Sequence, residues 1–178
     1  TQEKQEISST DLMERAGTQI FNWLHTRMQG AQVPIHVFCG IGNNGGDGLA
    51  VGRLLKYLEY TVEIYVIPLG ANTSSDFNIN LEQIKQLNIP IFDIEETEAI
   101  PDFKFNAILI DAILGSGLNR PVDGFVSEVI EQINAQCDTI VAMDIASGLF
   151  ADLHTSTASI RPNCTFSFEF PKLAFFFS

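Results

Sequence analysis

The chain is short of positive charge. In 178 residues, 10 Lys and Arg stand against 22 Asp and Glu, a formal net charge of -12. The pI is near 4.4. A nucleic-acid or anionic-membrane partner needs a basic face, so this balance argues against both. Any bound phosphate must be attracted by local backbone dipoles and a few cations. Cysteine is sparse too. Cys39, Cys137 and Cys164 lie far apart with no C-x-x-C pair, which argues against a disulfide framework or zinc site and reads as buried small hydrophobes. His25, His36 and His154 are equally scattered, and His36 falls in a predicted strand as a core or sheet-face residue. No apolar run approaches membrane length and no signal-peptide pattern stands at the start, so the cytoplasm is the default compartment. No Gly-Lys-Ser/Thr follows the main glycine cluster, which excludes a P-loop.

What the chain does have is glycine in one place. Cys39-Gly40-Ile41-Gly42-Asn43-Asn44-Gly45-Gly46-Asp47-Gly48 stands between an apolar run, Ile35 to Phe38, and residues at helical spacing: Leu49, Ala50, Val51, Leu54, Leu55 and Leu58. The expectation is a glycine-rich loop joining a strand to a helix. Bare backbone N–H groups and the helix N-terminus behind them suit a phosphate. Asp47 would repel a phosphate, so it holds the loop, caps the helix or meets a sugar hydroxyl. A plain Asx-capped turn is the bland alternative.

The rest of the chain alternates helix and strand signals. Leu12, Ala16, Ile20, Trp23, Leu24 and Met28 form one apolar stripe behind a Ser8 or Ser9 cap. Thr61 to Ile67 is rich in strand formers, and Pro68 to Ser75 reads as a loop. Phe77, Ile79, Leu81, Ile84 and Leu87 predict a helix, and Ile91-Phe92 a short strand. Asn106 to Ile110 and Thr139 to Met143 are strands with almost no alternation, as expected for burial on both faces. Phe125, Val129, Ile130 and Ile133 predict the helix between them. Residues 149 to 163 read as irregular. The alternation of Phe166, Phe168 and Phe170 predicts a strand over Cys164 to Phe170. Phe175, Phe176 and Phe177 cannot all be solvated cheaply, which suggests that the natural chain continues past Ser178. The hydrophobic fraction of 46% is ample for a three-layer core. Together these predict a single domain over residues 1–178 of α/β class: a three-layer α/β/α Rossmann-like fold with a mostly parallel central sheet.

Ligands of such sheets bind beyond the carboxyl ends of the strands. Three segments are expected there: Gly40 to Gly48, Asp111 to Pro121, and Asp144 to Gly148. Gly40-Ile41-Gly42-Asn43-Asn44-Gly45 matches G-x-G-x-x-G, but the second strand ends Tyr65-Val66-Ile67-Pro68 without the acid that would bind a ribose, which disfavours a hydride-transfer dehydrogenase. Asp111 and Asp144 each end a buried strand. A carboxylate so placed serves acid–base chemistry, holds a hard cation or caps a backbone loop. One carboxylate with amide, hydroxyl and backbone oxygens, such as those of Asn44 and Ser147, suits potassium better than zinc. Arg120 and Lys172 are the cations best placed to meet phosphate, with plain surface charge as the alternative.

Asn43-Asn44-Gly45-Gly46-Asp47-Gly48, Asp111-Ala112-Ile113-Leu114-Gly115-Ser116-Gly117-Leu118 and Asp144-Ile145-Ala146-Ser147-Gly148-Leu149 resemble the three signature segments of the YjeF N-terminal domain family, the NAD(P)H-hydrate epimerases. Ser8 to Gly17 is similar to the family's first helix, and Phe170-Pro171-Lys172 to the segment after its sixth strand. The resemblance implies an isomerase of cofactor repair. Its substrates are NADHX and NADPHX, the hydrated reduced nicotinamide cofactors, whose R and S forms it interconverts. It implies that Asn43, Asn44, Gly45, Gly46, Asp47, Gly115, Ser116, Gly117, Leu118, Asn119, Arg120 and Pro121 bind substrate. Asn44, Asp111 and Ser147 would hold a potassium ion, and Asp144 would contact the hydrated ring as the acid–base residue. It further suggests a homodimer, coupling to an NAD(P)HX dehydratase that repairs the S form, and that this chain is the N-terminal part of a fused epimerase/dehydratase. A non-catalytic nucleotide-binding or scaffold module on the same fold is the rival; such a module would be expected to lose Asp111 or Asp144. Two departures stand out. Ala146 replaces the family's usual proline, which is expected to loosen the loop carrying Ser147, and Ser116 replaces its threonine but keeps the hydroxyl.

Overall fold

Apolar runs without alternation are satisfied only by burial on both faces. The computed structural model, which describes residues 9–103, 107–155, 157–168 and 170–176, buries them that way. In chain order the elements are α1 (Ser9–Met28), β1 (Ile35–Gly40), α2 (Asn43–Tyr57), β2 (Val62–Ile67), α3 (Ser75–Gln86), β3 (Ile91–Asp93), β4 (Ile108–Ala112), α4 (Gly124–Gln136), β5 (Thr139–Met143) and β6 (Cys164–Phe166), with short 3-10 turns at Thr97–Ala99 and Leu173–Phe176. The strands form one six-stranded sheet in the order β3-β2-β1-β4-β5-β6, and each neighbouring pair is parallel. The chain thus builds outward from β1 in one direction, then returns to its other side with β4. The switch point lies between those two strands, where open sheets of this kind bind ligands.

Successive side chains of each strand face opposite sides, and the two halves of the core follow from that. Val37, Cys39, Ile64, Val66, Ile110, Val141 and Met143 pack with Ile20, Leu24, Leu49, Leu55, Phe77 and Ile84 of α1, α2 and α3. Phe38, Tyr65, Leu109, Ile140 and Ala142 pack with Val129, Ile130 and Ile133 of α4. The three-layer α/β/α expectation holds, with a sheet that is parallel throughout.

Several local expectations are revised. In α1 the residues buried against the core are Met13, Ile20, Leu24 and Met28, and a Cβ placed at Gly17 would stand 3.6 Å from the Ala50, Val51 and Leu54 side chains. Leu12 and Ala16 are only half-buried because they face a cavity. Asp111 lies inside β4 and not beyond it. β6 stops at Phe166; Phe168 still packs on the core, whereas Phe170 is exposed, so the aromatic alternation does not mark one strand. α2 stops at Tyr57, with Leu58 as its C-cap residue. His36 is buried and its Nδ1 stands 3.1 Å from Glu63 Oε2, as a sheet-face residue should. Cys39 is fully buried, while Cys137 and Cys164 are half-buried, and all three are free thiols. The expected Ser8 cap, Asn106 and Phe177 lie outside the described residues.

Candidate active site

The three segments expected to converge do so, at the carboxyl ends of β1, β4 and β5, which are adjacent in the sheet. The first is shorter than its glycines suggest. β1 runs to Gly40 and α2 begins at Asn43, with Gly42 at the N-cap and no side chain capping it. The loop is therefore Ile41 and Gly42 alone. Gly45, Gly46, Asp47 and Gly48 are helical, and Asp47 is not the cap. Packing explains the glycines. A Cβ on Gly45 would stand 1.7 Å from the Gly40 carbonyl oxygen, and one on Gly40 would stand 2.1 Å from that of Ile113. These two positions let α2 start directly against the tip of β1, and let that tip abut the segment leaving β4. The helix N-terminus leaves N–H donors and partial positive charge at the cleft.

The second and third segments are tied together by Asp111. Its side chain is wholly buried. One carboxylate oxygen accepts from the Ser147 N–H at 2.8 Å. The other accepts from the Ser147 hydroxyl at 2.5 Å and the Ile113 N–H at 3.3 Å. Burial pushes this carboxyl up to about 6, although the bonds from Ser147 and Ile113 pull the other way. Ser147 Oγ also accepts from the Leu114 N–H at 2.8 Å. Ser147 is thus held by partners on β4 and its loop, and Ala146 beside it is buried.

Asn44 joins the same cluster. Its Nδ2 donates to the Leu114 carbonyl at 3.0 Å, and Ser147 Oγ stands 3.2 Å from that carbonyl. Asn44, Asp111 and Ser147 therefore meet around the backbone of Leu114. Asn44 Oδ1 is buried with no hydrogen-bond partner among the described residues. A buried acceptor left so is costly unless a donor or cation meets it. One carboxylate surrounded by amide, hydroxyl and carbonyl oxygens is a donor set that fits potassium.

Asp144 sits just past β5 with φ +64, in the left-handed region. The other non-glycine residues at positive φ, Gln29, Glu59 and Asn88, each follow a helix end. Asp144 does not; it leaves a strand, and a residue held there in a sparsely populated conformation points to function. Its backbone N–H donates to the Phe166 carbonyl at 2.7 Å. Its Oδ2 accepts from the Ser116 N–H at 3.0 Å, and its Oδ1 lies 3.1 Å from Lys172 Nζ. Burial pushes the carboxyl up, but the Ser116 bonds and the Lys172 ammonium outweigh burial and hold it below the usual carboxylate range. Lys172 is not plain surface charge, since its side chain is largely buried. It is the counter-ion of Asp144, and it also donates to the Phe168 carbonyl at 2.9 Å.

Two cavities meet at Asp144. One, of about 650 Å³, lies between the α2 N-terminus and the second segment; Asn43, Asn44, Asp47 and the run Gly115 to Arg120 line it, with Asn72, Thr73 and Ser74 opposite. Arg120 is exposed there. The other, of about 560 Å³, is more apolar, with Leu12, Met13, Ala16, Ile20, Phe166 and Phe168 in its wall. Asn43, Asp47, Ser116 and Asp144 line both. Of the expected substrate residues, Gly45 and Gly46 line neither cavity; they are buried in α2. Pro121 belongs to a small adjoining hollow with Leu69 and Leu118. Asn72 to Ser74 and the cavity face of α1 are site components beyond the expected set. The first could have been found from strand order, since that loop follows β2, the neighbour of β1. The second carries no signal beyond the half-buried side of an ordinary amphipathic stripe.

The sequence matches the YjeF-related protein N-terminus family over residues 9–174. An NAD(P)H-hydrate epimerase of Anaerococcus prevotii is 35% identical over 150 residues, 82% of this chain and 67% of the relative. One from Limosilactobacillus fermentum is 34% identical over 93% of this chain and 77% of its own length. A bifunctional NAD(P)H-hydrate repair enzyme of Thermofilum pendens is 29% identical over 96% of this chain, which spans 33% of that larger protein. Among solved structures, yeast ynu0 superimposes with a TM-score of 0.80 at 23% identity, covering 94% of this chain and 74% of that one; at that identity the likeness speaks for the fold.

Proposed function

The chain belongs to the YjeF-related protein N-terminus family, and on that premise we propose that it is an NAD(P)H-hydrate epimerase, an isomerase interconverting the R and S forms of NADHX and NADPHX. The observation that carries this reading is the pair of cavities of unlike character joined at Asp144. The polar cavity, with the α2 N-terminus, the Gly115–Arg120 backbone and Arg120, suits the ribose and phosphate groups of a dinucleotide. The apolar cavity, walled by α1, Phe166 and Phe168, suits the hydrated nicotinamide ring. That placement puts the hydroxyl-bearing carbon beside Asp144.

Epimerisation there requires the hydroxyl to leave one face of the carbon and return to the other. The ring nitrogen's lone pair stabilises the cation formed. The ionised Asp144 carboxylate, fixed by the Ser116 N–H and Lys172, stabilises that cation and accepts a proton. Asn44, Asp111 and Ser147 hold a potassium ion in this reading. When bound, the ion would supply fixed positive charge to the site. The S product passes to a dehydratase, a second activity with which the word bifunctional in the Thermofilum relative's name agrees.

Two measurements test this. Supplying R-NADHX with an S-specific dehydratase should restore NADH absorbance faster when the protein is added; no acceleration over the spontaneous rate rejects the reading. The ion is tested by melting. Exchanging sodium or caesium for potassium at constant ionic strength should lower the melting temperature, since an ion at a hundred times its Kd stabilises by about 2.7 kcal/mol. Identical melting in all three ions would remove potassium from the site.

A further inference from the structure

We propose that Asp47 is the proton donor of the interconversion, working across the cleft from the ionised carboxylate of Asp144; this rests on the epimerase reading above. The first observation is placement. Asp47 is one of the residues lining both cavities, so it stands at the junction where the reacting carbon would lie. The second is division of labour. Asp144 already accepts from Ser116 and pairs with Lys172, which commits it to the charged form and leaves it no proton to give at neutral pH. Departure of a hydroxyl needs an acid, so another group must supply it. The third is surroundings. Asp47 is half-buried. It faces Asp144 beyond β5 and Asp76 at the start of α3, and the nearby Lys172 is taken by Asp144. From α1 the cavity receives Leu12, Met13, Ala16 and Gln19, all uncharged. Among the described residues no hydrogen bond or ion pair engages the Asp47 carboxyl, so it is available to a ligand. Burial, with the charges of Asp144 and Asp76, pushes it up to about 7. Two carboxyls driven apart in this way are suited to opposite roles as acid and base.

The step balances. The Asp47 carboxyl gives its proton to the hydroxyl oxygen of the R substrate. The C–O bond breaks with its electron pair leaving as water, and the ring nitrogen's lone pair forms a C=N bond. Water then adds to the opposite face as Asp144 accepts its surplus proton, the C=N pair returns to nitrogen, and that proton passes back to Asp47 to close the cycle. One water leaves and one enters, with no redox change.

The test is Asp47→Asn in the full-length protein. R and S forms are separated chromatographically after quenched incubations across pH, so that no coupling enzyme contributes its own profile. The wild type should lose kcat as pH rises through about 7, because the donor is then deprotonated. Asp47→Asn should lower kcat about a hundredfold or more, leave KM within about threefold, and lack that alkaline limb. Asp47→Glu should recover part of the rate. A loss confined to KM would make Asp47 a binding group and overturn the proposal, as would an unchanged kcat or an alkaline limb retained in the asparagine variant. If Asp47→Asn does not fold by circular dichroism, the wild-type profile decides, and absence of a limb near pH 7 overturns it. A wild type that interconverts nothing refutes the epimerase reading and this assignment with it; an active wild type beside an equally active Asp47→Asn refutes only the assignment.

Discussion

Asp144→Asn is expected to slow the interconversion of R- and S-NADHX by about a thousandfold, within the usual range for loss of a positioned acid–base group. Asparagine is the substitution to make because position 144 sits at φ +64. Asp and Asn tolerate this region better than alanine, which would add backbone strain of roughly 1–2 kcal/mol. The amide can still accept from the Ser116 N–H, but it cannot neutralise Lys172, whose side chain is only 15% exposed. An unpaired buried ammonium is destabilising, by about 3 kcal/mol where desolvation is near complete, so a fall in melting temperature should accompany the fall in rate. The double variant Asp144→Asn, Lys172→Met separates the two effects. It should regain much of the lost stability and none of the activity. An Asp144→Asn protein with near wild-type rate would show that no carboxylate is needed at this position.

Gly45→Ala should destabilise the fold by about 3 kcal/mol or more, in the upper range of overpacking penalties. On propensity alone the change should help, since alanine is favoured over glycine in a helix interior by about 1 kcal/mol. Contact decides the sign. The new methyl would stand 1.7 Å from the Gly40 carbonyl oxygen, and that oxygen is backbone at the tip of a central strand, with no rotamer to yield. Gly42→Ala is the control. Beyond its chain neighbours, no described heavy atom lies within 4 Å of where a Cβ at position 42 would stand. Its φ is -93, so the cost should stay near that of an ordinary surface change, about 0.5 kcal/mol. Urea denaturation of the two variants measures the difference. Equal stabilities would mean that the close approach of α2 to β1 is not a constraint on the fold.

The fold was largely legible because its signals are local. Unalternating runs at 108–112 and 139–143 demand burial on both faces, and helical stripes between them demand a parallel sheet with helices on both sides. The site was legible as three segments because Asp111 and Asp144 stand where two apolar strand runs run out. Where local pattern misled, tertiary packing was the reason. A glycine cluster looks like a loop by propensity, yet Gly45, Gly46 and Gly48 are helical, since helix there is the arrangement that lets α2 press on β1. Phe166, Phe168 and Phe170 alternate like a strand, but only Phe166 pairs with β5. Lys172 carries no sign in sequence of the carboxylate it meets.

By itself, then, the sequence determined the parallel α/β architecture, the three segments that carry Asn44, Asp111, Asp144 and Ser147, and the absence of a ribose-binding acid after β2, because each depends on residue type and spacing within one segment. Which groups touch was decided only by the tertiary structure. The order β3-β2-β1-β4-β5-β6 brings β1, β4 and β5 side by side, so Asp111 reaches Ser147 and Asn44 reaches Leu114. Strand β6 on the far side of β5 delivers Lys172 to Asp144 and leaves Asp47 facing that same carboxylate without a counter-ion of its own among the described residues. Charge states follow from those neighbours and from burial, and neither is written in any one stretch of the chain.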